Sequence, residues 1–222
     1  MQRRVPMIDA HVVTLSPMAM LALNASLLVM IGWALWRAEQ NLTPHSDWLA
    51  LVLLGVFAVS GRVLLDPIPN VQPVTVIVLL AGVHFGASRS IALAATVALA
   101  SNMILGHGLW TFYQAAGWAA VGIAGALLSS RLYPNGTIAM TKLAATSVVA
   151  ALVFDWIVSL SALHTLSPEL LPMYMVSGIP FDLLHAAGNV AFVAWLAVPL
   201  TDLMSRHTKS PSPSALNDLA TR

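Results

Sequence analysis

Residues 138–163 read IAMTKLAATSVVAALVFDWIVSLSAL, and this stretch decides the class of the protein. A helix that crosses a hydrocarbon core of ~30 Å needs about 20 mainly apolar residues. The stretch supplies them, with one lysine near its start and one carboxylate, Asp155, in its second half. Its apolar residues run on continuously, without the alternation of a membrane β-strand. Outward from it, similar runs occupy 113–130, 90–105, 71–85 and 48–65 on the amino-terminal side and 175–204 on the other. A further run, 12–36, stops at Arg37-Ala38-Glu39. The turn Asp66-Pro67-Ile68-Pro69-Asn70 separates two of the runs, because its prolines remove donors and fix φ. Pro180 and Pro199 mark expected kinks in the last run. The sequence therefore predicts an all-α integral membrane protein of about seven transmembrane helices.

Composition agrees. Hydrophobic residues make up 58% and charged residues 9%, where a soluble domain carries roughly 25% charged residues. Mean hydropathy is +0.81. So few charges cannot cover a folded surface in water, and lipid must cover it instead. The net charge of +1 argues against a nucleic-acid partner. With no cysteine, disulfides, thiolate metal sites and thiol nucleophiles are excluded. The start of the chain lacks the layout of a cleaved signal peptide. The expected organisation is an extra helix and linker over 1–47, a six-helix core over 48–204, and a polar, flexible tail over 205–222.

Basic residues near helix ends orient such a chain. A cytoplasmic carboxyl terminus puts Arg37, Arg89, Arg131, Lys142, Arg206 and Lys209 inside, with only Arg3 and Arg4 outside. Three segments then face outward: 66–72, 106–112 and about 164–173. Ionisable groups inside a membrane are costly and need partners or water. Arg62 and Asp155 sit in the outer halves of their helices, and so do Asp182, His185 and Asn189, spaced i, i+3 and i+7 on one helical face. Asn70 belongs to the first outer segment, and Asn102, His107, Trp110, Thr111 and Gln114 surround the second. These residues predict an outward polar pocket. Two alternatives stand beside it: Arg62 pairing with Asp155 or Asp182, and Trp110 and Tyr113 as interfacial belt residues. His84, at the cytoplasmic end, reads as interfacial. Small residues at Ser90, Ala94 and Ala98, and at Ala116, Ala120 and Ala124, predict close helix packing within the bundle. No phosphate-cradling loop, zinc-protease motif or nucleophile elbow is present.

Several blocks resemble one known family. Arg62, Asn70-Val71-Gln72-Pro73, Leu80-Ala81-Gly82, Phe85-Gly86 and Ser101-Asn102 look like the S components of energy-coupling factor (ECF) vitamin transporters. The block Gly106-His107-Gly108-Leu109-Trp110-Thr111-Phe112-Tyr113-Gln114 is the most specific part. Gly117-Trp118, Gly122, Gly125, Gly178-Ile179-Pro180-Phe181-Asp182 and 185–189 extend the similarity, which covers roughly 48–203.

The resemblance implies a six-helix core that binds a vitamin-like molecule from outside, with no enzyme activity and no cofactor of its own. A membrane coupling protein and two ATPase subunits would drive release, in the cytoplasmic (inner) membrane of a prokaryote. The segments after the first, third and fifth core helices would cap the ligand. The block around Trp110 looks most like the cobalamin-linked subgroup. If the ligand is a corrinoid, His107 or His185 is the candidate cobalt ligand. The chain departs from the family in two ways. The run 12–36 is extra, and 48–65 lacks the Ala-x-x-x-Ala pattern used for docking, with Gly55 and Ala58 at another spacing. A dedicated module or solitary transport are therefore alternatives. So are an intramembrane enzyme using Asp155, Asp182 and His185, and a structural subunit without a ligand.

Overall fold

A computed structural model describes residues 46–208, together with scattered positions between 16 and 33. The expected extra helix at 12–36 thus falls largely outside the described residues, and so does the tail beyond 208. Among the described residues the chain is helical, with no strand. Six long helices carry the fold. They are α1 (Ser46–Leu64), α2 (Val74–Phe85), α3 (Ala87–Leu105), α4 (Trp110–Leu127), α5 (Met140–Ser159) and α6 (Leu171–Thr208). Short 3₁₀ turns, Leu160–His164 and Pro168–Leu170, link α5 to α6.

By length and hydropathy three helical stretches suffice to cross a membrane: Ala87–Leu105, Met140–His164 and Pro168–His207. A fourth counts if α4 and the segment Ser129–Gly136, bent by 69° from it, form one span. α1 and α2 are shorter apolar helices. The protein is thus an all-helical membrane protein with three to four long apolar helices among the described residues.

Its surface has the matching chemistry. Leu53, Val56, Ile104, Val149, Val176 and Trp195 are among many large apolar side chains left exposed. α2 is the opposite case, since every residue from Val74 to Gly82 is buried. It runs through the middle of the bundle, where protein covers it on all sides, so its run of Val, Ile and Leu needs no polar face.

α2 and α4 approach at backbone distance. A Cβ on Gly82 would lie 2.1 Å from the Gly122 carbonyl oxygen, and one on Gly125 would lie 2.2 Å from that of Leu79. Glycine is what allows this contact. Ser90, Ala94 and Ala98 on α3 are also buried, as their spacing predicts. On α4 the packed stripe is instead Ala115, Trp118, Gly122 and Gly125, while Ala116, Ala120 and Ala124 are only half-buried. α6 continues unbroken through Pro180 and Pro199.

Three connections meet at one end of the bundle. Asn70 Nδ2 lies 3.3 Å from Asp155 Oδ1 and 3.4 Å from the Phe181 carbonyl oxygen. Tyr113 and His164 join their hydroxyl and Nε2 at 3.0 Å. The other end holds the tight link at Gly86, with φ +82°, and the edge-on contact of His84 with Tyr133.

Candidate ligand-binding site

Arg62 enters the site from the last turn of α1 and is 6% exposed. Its Nε donates to Gln72 Oε1 at 3.1 Å, and its Nη2 to Gln114 Oε1 at 3.2 Å. Its Nη1 donates to Asn102 Oδ1 at 2.7 Å and to the Ser101 hydroxyl. The guanidinium also lies 5.1 Å from the centre of the Trp118 ring, a cation–π contact. All four acceptors are neutral. Among the described residues no carboxylate lies within ion-pair distance, so Arg62 does not pair with Asp155 or Asp182.

The acceptors are themselves held. Asn102 Nδ2 donates to Gln114 Oε1 at 2.6 Å and to Thr111 Oγ1 at 2.8 Å. Thr111 Oγ1 also lies 3.4 Å from the Gly108 N–H. With both lone pairs occupied, the Thr111 hydroxyl donates to His107 Nδ1 at 2.9 Å, which leaves the proton of neutral His107 on Nε2. Burial pushes the His107 pKa below its ordinary value and favours that neutral form. Thr111 is fully buried, so it positions Asn102 and His107 from behind.

A second chain of bonds crosses from α4 to α5. Trp118 Nε1 donates to Thr75 Oγ1 at 3.1 Å, and Thr75 Oγ1 meets His185 Nε2 at 2.9 Å. His185 Nδ1 meets Asp155 Oδ2 at 2.9 Å. The directions follow from the ends. Thr75 accepts from the indole and therefore donates to Nε2, and the Nδ1–H of His185 donates to the carboxylate. An aromatic wall runs beside this chain. Trp118 stacks on Phe154 at 4.6 Å, and Phe154 meets the His185 ring edge-on at 5.5 Å.

Three adjoining cavities open among these residues, and Gln114 lines all of them. One of about 340 Å³ lies between Arg62, Asn102, His107 and Trp110, with exposed Asp66 on its wall. One of about 370 Å³ is bordered by Asp155, Asp182, Phe154, Trp110 and Tyr174. Between them is a slot of about 70 Å³, lined by Arg62, Gln114, Thr75, Trp118, Asn70 and His185 among others.

Nine of the ten expected site residues are therefore brought together: Arg62, Asn70, Asn102, His107, Trp110, Thr111, Gln114, Asp182 and His185. Trp110 borders both of the larger cavities of the site. Asn189 lies elsewhere. It is fully buried, lines none of the three cavities, and donates to the Ser147 carbonyl oxygen at 3.1 Å, tying α6 to α5. Both ring nitrogens of His185 are engaged, so the expected role of a cobalt ligand does not fit it. Among the described residues no group of three or more His, Cys, Asp or Glu is placed to hold a metal.

Thr75, Trp118, Phe154, Gln72 and Ser101 were not singled out as site residues from the sequence. Gln72, Ser101 and Trp118 stand inside the resembling blocks. Thr75 and Phe154 lie in runs that read as plain apolar helix.

No curated protein and no solved structure matches the chain. A family match runs over residues 42–210 and takes in all six helices and the whole site: the chain belongs to DUF6580, described as a family of unknown function.

Proposed function

We propose that the chain is a membrane solute-binding subunit of the S-component type, capturing a small vitamin-like molecule for import. The observation that carries this reading is the buried polar site at one end of an apolar bundle. Arg62, Asn102, Gln114 and His185 are pre-organised around cavities of about 340 and 370 Å³. Drug-sized ligands occupy pockets of about 300–1,000 Å³ with a few placed polar groups. Residues from the resembling blocks supply most of those groups.

Charge supports an outward site. Arg89 and Arg131 lie beside the Gly86 link and the Ser129–Leu132 turn, at the end away from the cavities. The positive-inside bias supports a cytoplasmic position for that end and an outward site, and the inner membrane of a prokaryote belongs to the same reading. The seven-span topology with an outer amino terminus and a cytoplasmic carboxyl terminus belongs to this reading. So do a coupling protein and two ATPases as partners. Their docking differs from the family pattern, because Ala58 is fully buried and only Gly55 borders the groove between α1 and α3. A dedicated module, or solitary transport, is the variant this favours. The cavities suit a single ring system better than a corrinoid, which is far larger than either. A corrinoid would require the capping segments to open and His107 to give up its bond to Thr111 before it could serve as an axial ligand.

A catalytic reading has one specific observation in its favour. Asp155, His185 and Thr75 form a carboxylate–imidazole–hydroxyl chain in the order of a hydrolase triad. Against it, Thr75 is 1% exposed and its oxygen already accepts the Trp118 N–H.

The test is uptake together with ligand recovery. Small molecules extracted from the purified chain and identified by mass spectrometry should recur as one unmodified compound. That compound should accumulate in cells expressing the chain with an energising module. Recovery only of a cleaved product that Thr75→Val abolishes would replace the binding reading with the catalytic one, and a chain that is empty and accumulates nothing would overturn the binding reading.

A further inference from the structure

Arg62 lies on one side of the site with only exposed Asp66 near it, the two buried carboxylates Asp155 and Asp182 lie on the other, and the narrow slot runs between. We propose that the ligand is amphoteric: a ring carrying a cationic or proton-donating group at one end and a carboxylate-sized anion at the other. This inference rests on the binding reading above and goes on to specify the chemistry of the bound molecule.

The anionic end belongs in the slot. Its volume of about 70 Å³ holds a group the size of about two waters, each taking ~30 Å³ of the liquid. Arg62 lines it and stays charged at any working pH. A buried cation whose hydrogen-bond acceptors are all neutral and whose nearest carboxylate, Asp66, is exposed to solvent is costly, and an anion beside it relieves that cost. Four of the five guanidinium N–H groups are engaged, so one Nη2–H remains to donate to a carboxylate oxygen. Gln114 adds a donor, since its Oε1 is used twice and its Nε2 makes no hydrogen bond among the described residues. Asp66 borders the 340 Å³ cavity but not the slot, so it does not fill this role.

The cationic end belongs in the 370 Å³ cavity. Two carboxylates, Asp155 and Asp182, border it, both under a tenth exposed, while His185, the imidazole that meets Asp155, lines the slot instead. A ligand with an anion at both ends would set like charges together there. Phe154, Asn70 and Gln114 line both spaces, so the slot and the cavity adjoin. Phe154 and Trp110 give the ring its apolar walls.

The full chain in detergent is titrated by calorimetry with 4-(aminomethyl)benzoate, benzylamine and benzoate. The amphoteric probe should bind at least tenfold more tightly than either single-charge probe. Arg62→Gln should remove that advantage over benzylamine, and Asp155→Asn the advantage over benzoate. Arg62→Gln risks misfolding, so Gln114→Glu serves as a second variant. It places an internal carboxylate beside Arg62, and should raise the thermal midpoint while abolishing the preference for 4-(aminomethyl)benzoate over benzylamine. Benzylamine or benzoate binding as tightly as the amphoteric probe overturns the proposal, as does a preference unchanged by Gln114→Glu. Recovery of a neutral or single-signed molecule from the site overturns the amphoteric class and leaves the binding function standing. A chain that holds no molecule and binds none of the three probes overturns both.

Discussion

Arg62 keeps its charge at every working pH, and its four acceptors, Gln72, Ser101, Asn102 and Gln114, are all neutral. On the proposed reading, a bound molecule supplies the anion that this set lacks. Removing one partner of a buried hydrogen bond costs about 1–3 kcal/mol, a factor of roughly 5 to 150 in affinity. His185→Ala and Trp110→Ala should each weaken ligand binding at least fivefold by calorimetry while the chain stays folded. His84→Ala, at the far end against Tyr133, should leave binding unchanged. Gly108→Ala should weaken binding too, because the new Cβ would lie 2.1 Å from the Trp110 ring and push the indole aside. His107 gives a pH test. Burial lowers its pKa, so the unfolded chain takes up a proton at about 6.5, before the folded chain does. The stability it contributes is full above that pH and falls as pH drops through it. The thermal midpoint of the native chain should fall further between pH 7 and 5 than that of His107→Gln. Equal slopes would contradict the assignment. Most of these residues could be read from the sequence because a polar side chain in an apolar run needs a reason. Asn189 met that criterion yet serves helix pairing, since a capped backbone carbonyl and a ligand ask for the same amide. Thr75 and Phe154 escaped because neither stands out against its neighbours.

Among the helices, the buried centre of the bundle is α2, and its contact with α4 sets how closely the site's walls approach. Gly82→Ala would place a methyl group 2.1 Å from a backbone oxygen, so the two helices must separate. Overpacking of this kind costs about 1–3 kcal/mol. The variant should unfold at lower temperature in detergent than Gly55→Ala, whose added Cβ meets only Leu93 Cδ1 at 3.5 Å. A midpoint equal to that of Gly55→Ala would contradict the close contact. The apolar runs located the helices well, because twenty consecutive apolar residues have few other uses. Their ends were less legible. The last run was expected over 175–204 with kinks, and α6 instead extends over Leu171–Thr208 through both prolines. At about 1.5 Å per residue it is ~57 Å long and exceeds a hydrocarbon core. Neighbouring helices re-satisfy backbone groups freed by proline in membranes, so proline alone does not end a helix there. The packed face of α4 differs from the expected Ala116, Ala120 and Ala124 stripe, since Ala occupies both the packed and the half-buried face.

The whole molecule presents two unlike ends, one polar and hollow, the other closed by Gly86 and flanked by Arg89 and Arg131. That asymmetry was visible in the order of loops along the sequence, but the placing of Arg62 and of Asp155 and Asp182 on either side of Gln114 was not, because it joins residues of four helices. A reporter fused after Arg222 should prove cytoplasmic, and a periplasmic or extracellular reporter would reverse the direction of capture. The isolated chain should show no ATPase activity, since it has no phosphate-cradling loop. Uptake that persists in a host stripped of every energising module would establish solitary transport instead. The most direct measurement is native mass spectrometry of the chain released from detergent, with the His185→Ala, Trp110→Ala and His84→Ala variants alongside. The native chain and His84→Ala should carry one small molecule of the same mass, and the other two variants should have lost it. Retention by His185→Ala and Trp110→Ala, with loss from His84→Ala, would place the binding site at the opposite end of the bundle and contradict the account.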